Sequence, residues 1–226
     1  MSLRRLAPPE IQPARFAFSA ENALWARDTI AKYPPGRQAS AVISLLWRGQ
    51  EQEGWVSHPM IESVAKMLSM PFIRVLEVAT FYTMFNLQPV GTLIQVCTTT
   101  PCWLRGSDAV VAACKKHIHP HEKTLSADGK FSWMEVECLG ACVNAPMLQI
   151  GSDFYEDIDG PITERMIADL RAGKAIKPGP QNSRASSEPE GGAQSLTDPA
   201  LYDGSIIGKY KVQAPPPPAE AKKPGA

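Results

Sequence analysis

Four of the five cysteines in this 226-residue chain fall into two short pairs that could supply thiolate ligands. The first pair stands in the segment CTTTPC and the second in CLGAC. The four candidates are Cys97, Cys102, Cys138 and Cys142. A two-iron cluster with bridging sulfides takes two thiolates on each iron, so two pairs match its requirement for four ligands. Structural zinc normally uses tighter Cys-x2-Cys pairs, and the wider gaps here favour an iron–sulfur cluster over a single ion.

Spacing alone leaves three other interpretations of these cysteines open. A structural zinc site, a redox-active disulfide and ordinary core cysteines are each compatible with the pattern. A thioredoxin-type redox site is disfavoured because the chain contains no Cys-x-x-Cys motif. The fifth cysteine, Cys114, shares one face of a predicted helix with Val110, Val111 and Ile118. We therefore predict that Cys114 is a buried structural thiol and not a ligand.

The residues around the two pairs are suited to a negatively charged group. Residues 98–100 are three consecutive threonines that offer hydroxyls and backbone N–H groups, and Gly140 permits a close backbone approach. An oxidised [2Fe–2S] unit on four thiolates carries a net charge of about −2. We therefore expect N–H donors and Arg105 to influence its reduction potential.

Each cysteine pair directly follows a predicted strand, which explains how the two pairs can meet. Apolar runs predict strands at 93–96 and 131–137, and a predicted helix that Ser107 can cap connects them. A strand–helix–strand unit implies a parallel pair with a right-handed crossover. Because parallel strands end at the same edge of a sheet, the two cysteine loops are expected to lie side by side.

The rest of the chain predicts an α+β protein in two parts with a tail. Residues 19–88 read as a bundle of four short helices, and residues 89–175 as a thioredoxin-like α/β domain that ends in a helix capped by Thr163. Residues 1–18 are predicted to form a disordered N-terminal arm, and their three arginines and single acidic residue leave a short organellar transit peptide as the alternative. Residues 176–226 are polar and rich in proline, which predicts an extended, disordered C-terminal tail. Its apolar residues could dock on a partner, and they are Leu201, Tyr202, Ile206, Ile207 and Tyr210.

Composition argues against several classes of function. Lys plus Arg and Asp plus Glu number 23 each, so the net charge is zero and nothing indicates nucleic acid as a partner. No run approaches the roughly 18 apolar residues needed to insert into a bilayer. No glycine-rich dinucleotide fingerprint follows any predicted strand, so we predict no catalytic residue and no NADH oxidation by this chain alone.

Four motifs resemble the 24-kilodalton-type subunit of respiratory complex I, NADH:quinone oxidoreductase. They are ATFYTMF at 79–85, PVG at 89–91, VCTTTPCWLRG at 96–106 and VECLGACVNAPM at 136–147. The resemblance covers about residues 20 to 180. It implies a helical domain followed by a thioredoxin-like domain, with one [2Fe–2S] cluster held by the four paired cysteines.

The resemblance also implies partners and a location. The family's partner is a larger flavoprotein subunit that binds NADH and FMN, and the cluster lies near that flavin. The resemblance further implies contact with the large iron–sulfur subunit, in the peripheral arm on the cytoplasmic face of a bacterial inner membrane or on the matrix side in mitochondria. Two alternatives stay open: a diaphorase subunit of an NAD-linked hydrogenase or formate dehydrogenase, and a zinc-stabilised structural interaction module.

Overall fold

The computed structural model describes residues 4–189, 191–192, 194–201 and 203–204. It divides into two compact units, Met1–Asn182 and Ser183–Ala226. The first unit contains the helical part and the sheet. In the second, Pro199–Leu201 form one short helical turn. The apolar tail residues Tyr202, Ile206, Ile207 and Tyr210 lie outside the described residues.

The helical part consists of four helices, as predicted. They are α1 (Ala20–Ala31), α2 (Val42–Glu53), α3 (His58–Met67) and α4 (Phe72–Phe81). Ser19 caps α1 by accepting a hydrogen bond from the Asn22 N–H at 3.2 Å. Pro59 and Pro71 stand at the starts of α3 and α4, where a missing N–H costs no hydrogen bond. The largest fully buried side chains of this part are Leu45, Leu46, Met60, Ile61 and Phe85.

The N-terminal arm is attached to the helical part, which differs from the disordered arm predicted for residues 1–18. The Ala7 N–H donates to the Leu87 carbonyl at 2.9 Å. The Arg4 guanidinium donates to the carbonyls of Thr80, Tyr82 and Phe85, around the end of α4. Side chains of the arm also pack against the helical core, and they are Leu6, Phe16 and Phe18.

The second part is built on a five-stranded sheet with the order β2-β1-β3-β4-β5. The strands are β1 (Thr92–Cys97), β2 (Phe131–Val136), β3 (Met147–Ile150), β4 (Asp153–Glu156) and β5 (Gly179–Pro180). Strands β1 and β2 pair in parallel, as predicted, and β3 is antiparallel to both β1 and β4. Strand β5 pairs with β4, so the sheet continues past residue 176, where the tail was predicted to begin.

Three helices accompany the sheet: α5 (Thr100–Leu104), α6 (Ser107–His117) and α7 (Gly160–Arg171). Buried side chains of α6 and α7 share one core with strand residues. The prediction that Thr163 caps α7 is wrong. Asp159 is the cap, because its Oδ1 accepts from the Ile162 N–H at 2.7 Å, whereas the buried Thr163 hydroxyl donates to the Asp159 carbonyl. Ser107 is the first residue of α6 and not its cap, which is Gly106.

Candidate metal centre

The first cysteine pair is buried at the end of β1, an interior strand of the sheet. Cys97 is the last residue of β1, and Cys102 lies inside the short helix α5. Each side chain is about 1% exposed. Pro101 occupies the first turn of α5, which folds the chain back after the strand and brings the Cys102 thiol into hydrogen-bonding contact with Cys97. The pair is therefore formed by a strand end and a single helical turn.

The second pair is exposed and lies beyond the end of β2. The Sγ atoms of Cys138 and Cys142 are 3.3 Å apart, and neither thiol is in a disulfide. Gly140 stands between them with a φ of +90°, a conformation that side chains rarely adopt. Its backbone N–H is directed at the Cys138 sulfur. A glycine at this position therefore allows the backbone conformation that directs its N–H at the Cys138 sulfur.

The two pairs lie side by side, as the parallel strands predict. The Thr99 hydroxyl is 3.3 Å from the Cys97 sulfur, and the same side chain also contacts Cys138 of the other pair. From the second loop, the Leu139 N–H is directed at Cys97. Cys142 lies close enough to Cys102 to interact with it electrostatically. All four predicted ligands therefore lie together at one edge of the sheet.

The proton affinities of the thiols differ within each pair. Burial raises the pKa of Cys102 to about 12. Burial acts in the same direction on Cys97, but hydrogen bonds from Thr99, Cys102 and the Leu139 N–H together outweigh it and leave the pKa of Cys97 below its ordinary value. The hydrogen bond between Cys138 and Cys142 lowers the pKa of Cys138 and raises that of Cys142. Each pair therefore has one thiol with a lowered pKa and one with a raised pKa, and metal binding must displace the protons of both.

The donor set fits a binuclear iron–sulfur group. The four thiols form two close pairs, and a two-iron cluster takes one such pair on each iron. Backbone N–H groups of Leu139, Gly140 and Met147 are directed at the sulfurs, as a negatively charged group requires. The residues present therefore fit a [2Fe–2S] cluster.

Two of these backbone donors were not anticipated from the sequence. Leu139 and Met147 act through their N–H groups, so the identity of their side chains carries no signal of the role. Arg105, which was expected to influence the site, donates from Nε to the Ala145 carbonyl at 3.5 Å. That contact ties the end of α5 to the segment that follows the second pair.

The fifth cysteine lies apart from the site. Cys114 is fully buried on α6, in the core that includes Val110, Val111 and Ile118, and burial raises its pKa to about 12. This is the structural position predicted for it.

Apolar side chains next to the proposed ligands are exposed. Trp103 and Leu104, which follow Cys102, are 57% and 71% exposed, and Val143, which follows Cys142, is 64% exposed.

The chain belongs to the thioredoxin-like [2Fe–2S] ferredoxin family, whose family model matches residues 26–171. Among its curated relatives is a subunit of the NADH-quinone oxidoreductase of Rhizobium meliloti (strain 1021). It is 57% identical over 203 residues, which make up 88% of this chain and 74% of that protein. The corresponding NADH-quinone oxidoreductase subunit of Rickettsia bellii (strain RML369-C) is 53% identical over 158 residues, or 69% of this chain and 95% of that protein. These identities confirm the resemblance to the 24-kilodalton-type subunit of respiratory complex I.

A solved structure shares the fold at much lower identity. A crystal structure of NAD+-reducing [NiFe]-hydrogenase in the H2-reduced state aligns with a TM-score of 0.54 and 16% identity. The alignment covers 60% of this chain and 23% of the hydrogenase chain. At that identity the likeness concerns the fold alone. None of the helices in the described part of the chain is long and apolar enough to cross a bilayer.

Proposed function

We propose that this chain carries one [2Fe–2S] cluster and serves as an electron-transfer subunit in the NADH-oxidising module of respiratory complex I. The proposed ligands are Cys97, Cys102, Cys138 and Cys142. The observation that carries the proposal is the meeting of two thiol pairs at one sheet edge, in a chain of the thioredoxin-like [2Fe–2S] family. Such a cluster, when bound, accepts and returns one electron.

The chain's own residues would bind the cluster and set its reduction potential. The buried pair, Cys97 and Cys102, would bind one iron, and the exposed pair, Cys138 and Cys142, the other. Backbone N–H groups at both loops stabilise negative charge on sulfur, and reduction adds negative charge. These donors therefore favour the reduced state and raise the reduction potential.

The exposed pair indicates the side from which a partner approaches. Electron transfer needs a short path, and the buried pair is covered by protein on its side of the site. Trp103, Leu104 and Val143 place exposed apolar surface on the same two loops, where a partner subunit would bury it. We assign this surface to the flavoprotein subunit that binds FMN and NADH, which would bring the cluster close to the flavin.

The assembly proposed is complex I. The relatives at 52–57% identity are named as NADH-quinone oxidoreductase subunits, whereas the hydrogenase shares only the fold. The large iron–sulfur subunit is the second proposed partner. The chain would lie in the peripheral arm, on the cytoplasmic face of a bacterial inner membrane.

Metal analysis of the purified full chain tests the proposal. Iron and acid-labile sulfide are each expected at about two per chain, with visible charge-transfer absorption. Serine at any one of the four ligand positions is expected to reduce both contents. The matched control, Cys114→Ala, keeps them and costs roughly 1 kcal/mol of packing. One tightly bound zinc in a colourless protein would instead support the structural zinc module.

A second experiment tests the electron-transfer role separately. NADH is expected to leave the cluster of the isolated chain oxidised and to reduce it once the flavoprotein subunit is added. Stoichiometric binding of NADH or FMN by the isolated chain would contradict the proposal that the flavoprotein subunit binds both.

A further inference from the structure

The two cysteine pairs differ sharply in exposure, and this difference has a chemical consequence in the chain before it receives iron. The sulfurs of Cys138 and Cys142 are exposed and 3.3 Å apart. A disulfide bond is about 2.05 Å long, so these sulfurs need to approach by only about an ångström to form one. Cys97 and Cys102 are each about 1% exposed, so a dissolved oxidant cannot reach them in the folded chain.

The loop between the exposed cysteines leaves room for that approach. Only three residues separate the two thiols, and the middle one is Gly140. Apart from its two chain neighbours, no residue has an atom within 4 Å of the position that a Cβ would occupy there, so this turn has open space in which to adjust. Leu139 and Ala141 are half-buried and pack beside the buried pair, which anchors both ends of the turn.

We propose that, in the chain that lacks its cluster, Cys138 and Cys142 are a modification site that forms an intramolecular disulfide by exchange with a small-molecule disulfide of the glutathione class. This disulfide would block cluster insertion until a dithiol reductant reopens it. The disulfide itself stands on the geometry of the pair. Its effect on cluster insertion rests on the proposed ligand set.

The exchange balances without any further reactant. One cysteine thiolate attacks a sulfur of oxidised glutathione, forms a mixed disulfide and releases one glutathione thiolate. The neighbouring thiolate then attacks the protein sulfur of that mixed disulfide and releases the second glutathione. Two protein thiols are oxidised to one disulfide, one glutathione disulfide is reduced to two thiols, and the two protons pass from protein to glutathione.

The position of the other cysteines makes the reaction selective. Exchange requires a thiolate to reach the attacked sulfur from the side opposite the bond that breaks, so access limits the rate. Cys97 and Cys102 are covered at the end of β1, and Cys114 is a fully buried residue of α6. One disulfide and three free thiols are therefore expected from the five cysteines.

The consequence for the cluster follows from the number of ligands. A [2Fe–2S] cluster requires four thiolates, and the disulfide removes two of them, both from the same proposed iron. The buried pair remains reduced and retains its geometry. Reduction of a single bond would then restore the complete site.

Trypsin separates the three kinds of cysteine into three peptides, which gives a direct assay. Cleavage after Lys and Arg places the exposed pair in 131–165, the buried pair in 75–105 and Cys114 in 106–115. The full chain is freed of iron under reducing conditions, treated with oxidised glutathione, alkylated in denaturant and digested. We expect peptide 131–165 to be two hydrogens lighter and to carry no alkyl group, while the other two peptides are fully alkylated.

Single variants test the pairing. Cys138→Ser and Cys142→Ser each leave one exposed thiol, so each should stop at a stable mixed disulfide with one glutathione on peptide 131–165. Cys114→Ser is the matched control and should still form the internal disulfide. Full alkylation of peptide 131–165 in the treated wild-type chain, or a disulfide within 75–105, would overturn the proposal. So would native-state alkylation of Cys114 as fast as that of the exposed pair, because the folded site would then not exist without iron.

Cluster reconstitution separates this inference from the proposed function. The oxidised chain is expected to lose cluster uptake from iron and sulfide, and dithiothreitol is expected to restore it. Equal uptake by the oxidised and reduced chains would overturn the block while the proposed cluster site stands. No uptake by the reduced chain would contradict the proposed site and with it the block, while the disulfide assay would keep its result.

Discussion

Thr99 Oγ1 lies 3.3 Å from Cys97 Sγ, and the same side chain also contacts Cys138 in the other pair. One hydroxyl therefore interacts with thiols from both loops of the site. It joins two segments that are separated by about 40 residues in the chain.

Replacement of this hydroxyl should shift the reduction potential. Thr99→Val removes a hydrogen bond that stabilises charge on sulfur, and the reduced cluster carries the greater negative charge. A hydrogen bond worth about 1 kcal/mol corresponds to about 40 mV for one electron, so we expect the potential to fall by roughly that amount. Redox titration followed by electron paramagnetic resonance measures it. Thr100→Val, at the exposed first residue of α5, is the control, and an equal shift in both variants would contradict the argument.

The N-terminal arm should contribute to stability through Arg4. Its guanidinium serves three carbonyls around the end of α4, and Arg4→Ala would leave them without that donor. We expect the free energy of unfolding to fall by about 2 kcal/mol, within the range for hydrogen bonds to a charged group. Urea denaturation measures it. The neighbouring exposed Arg5 is the matched control, and Arg5→Ala should change stability little; equal losses would indicate a general effect of charge.

Acid should weaken the thioredoxin-like part through Asp128. Hydrogen bonds from Ser126, the Lys130 N–H and Arg171 lower the pKa of this carboxyl to about 2. Because its pKa in the unfolded chain is near 4, the carboxylate stabilises the fold above that pH, and the contribution is lost as the pH falls toward 2. Asp128→Asn should therefore flatten the fall in stability between about pH 4 and 2. Thermal unfolding across this range checks it, with Asp28→Asn on the exposed face of α1 as the control.

The tail should be separable from the site, provided that the cut respects the sheet. The Gln181 N–H donates to the Glu156 carbonyl, and β5 pairs with β4. Removal of residues 183–226 should leave the cluster absorption and the unfolding midpoint unchanged while weakening, without abolishing, association with the flavoprotein. Removal from residue 177 onward should lower the midpoint, because it deletes β5. Bleaching of the cluster by the shorter truncation would place the tail inside the folded domain.

Local sequence patterns predicted the elements and the meeting of the cysteine loops. Helices α5 and α6 connect β1 to β2, and Cys97 is the last residue of β1 while Cys138 follows shortly after β2. Because the strands run parallel and such a crossover is right-handed, the positions of the two cysteine loops are largely fixed. The assignment of two thiols to each loop follows from spacing alone, without knowledge of side-chain contacts.

Other features depend on contacts that no local pattern records. The acceptors of Arg4 lie more than 75 residues away in the chain, so a short polar segment with two arginines reads as disordered. Asp159 and Thr163 are both acceptable caps, and only the packing of Thr163 into the core decides between them. The five-residue helix α5 is too short to show a helical period, although it is what buries Cys102.

The position of β1 in the sheet also affects how often this strand opens. It is hydrogen-bonded to β2 on one side and to β3 on the other, whereas β2 is an edge strand. Opening β1 requires two ladders to break together, so its amide hydrogens should exchange with solvent among the slowest in the molecule. Cys97 is therefore held by a strand that is paired on both sides, and Cys138 follows an edge strand that frays more readily. Strain from a partner that binds and leaves would therefore act first on the loop of Cys138 and last on β1.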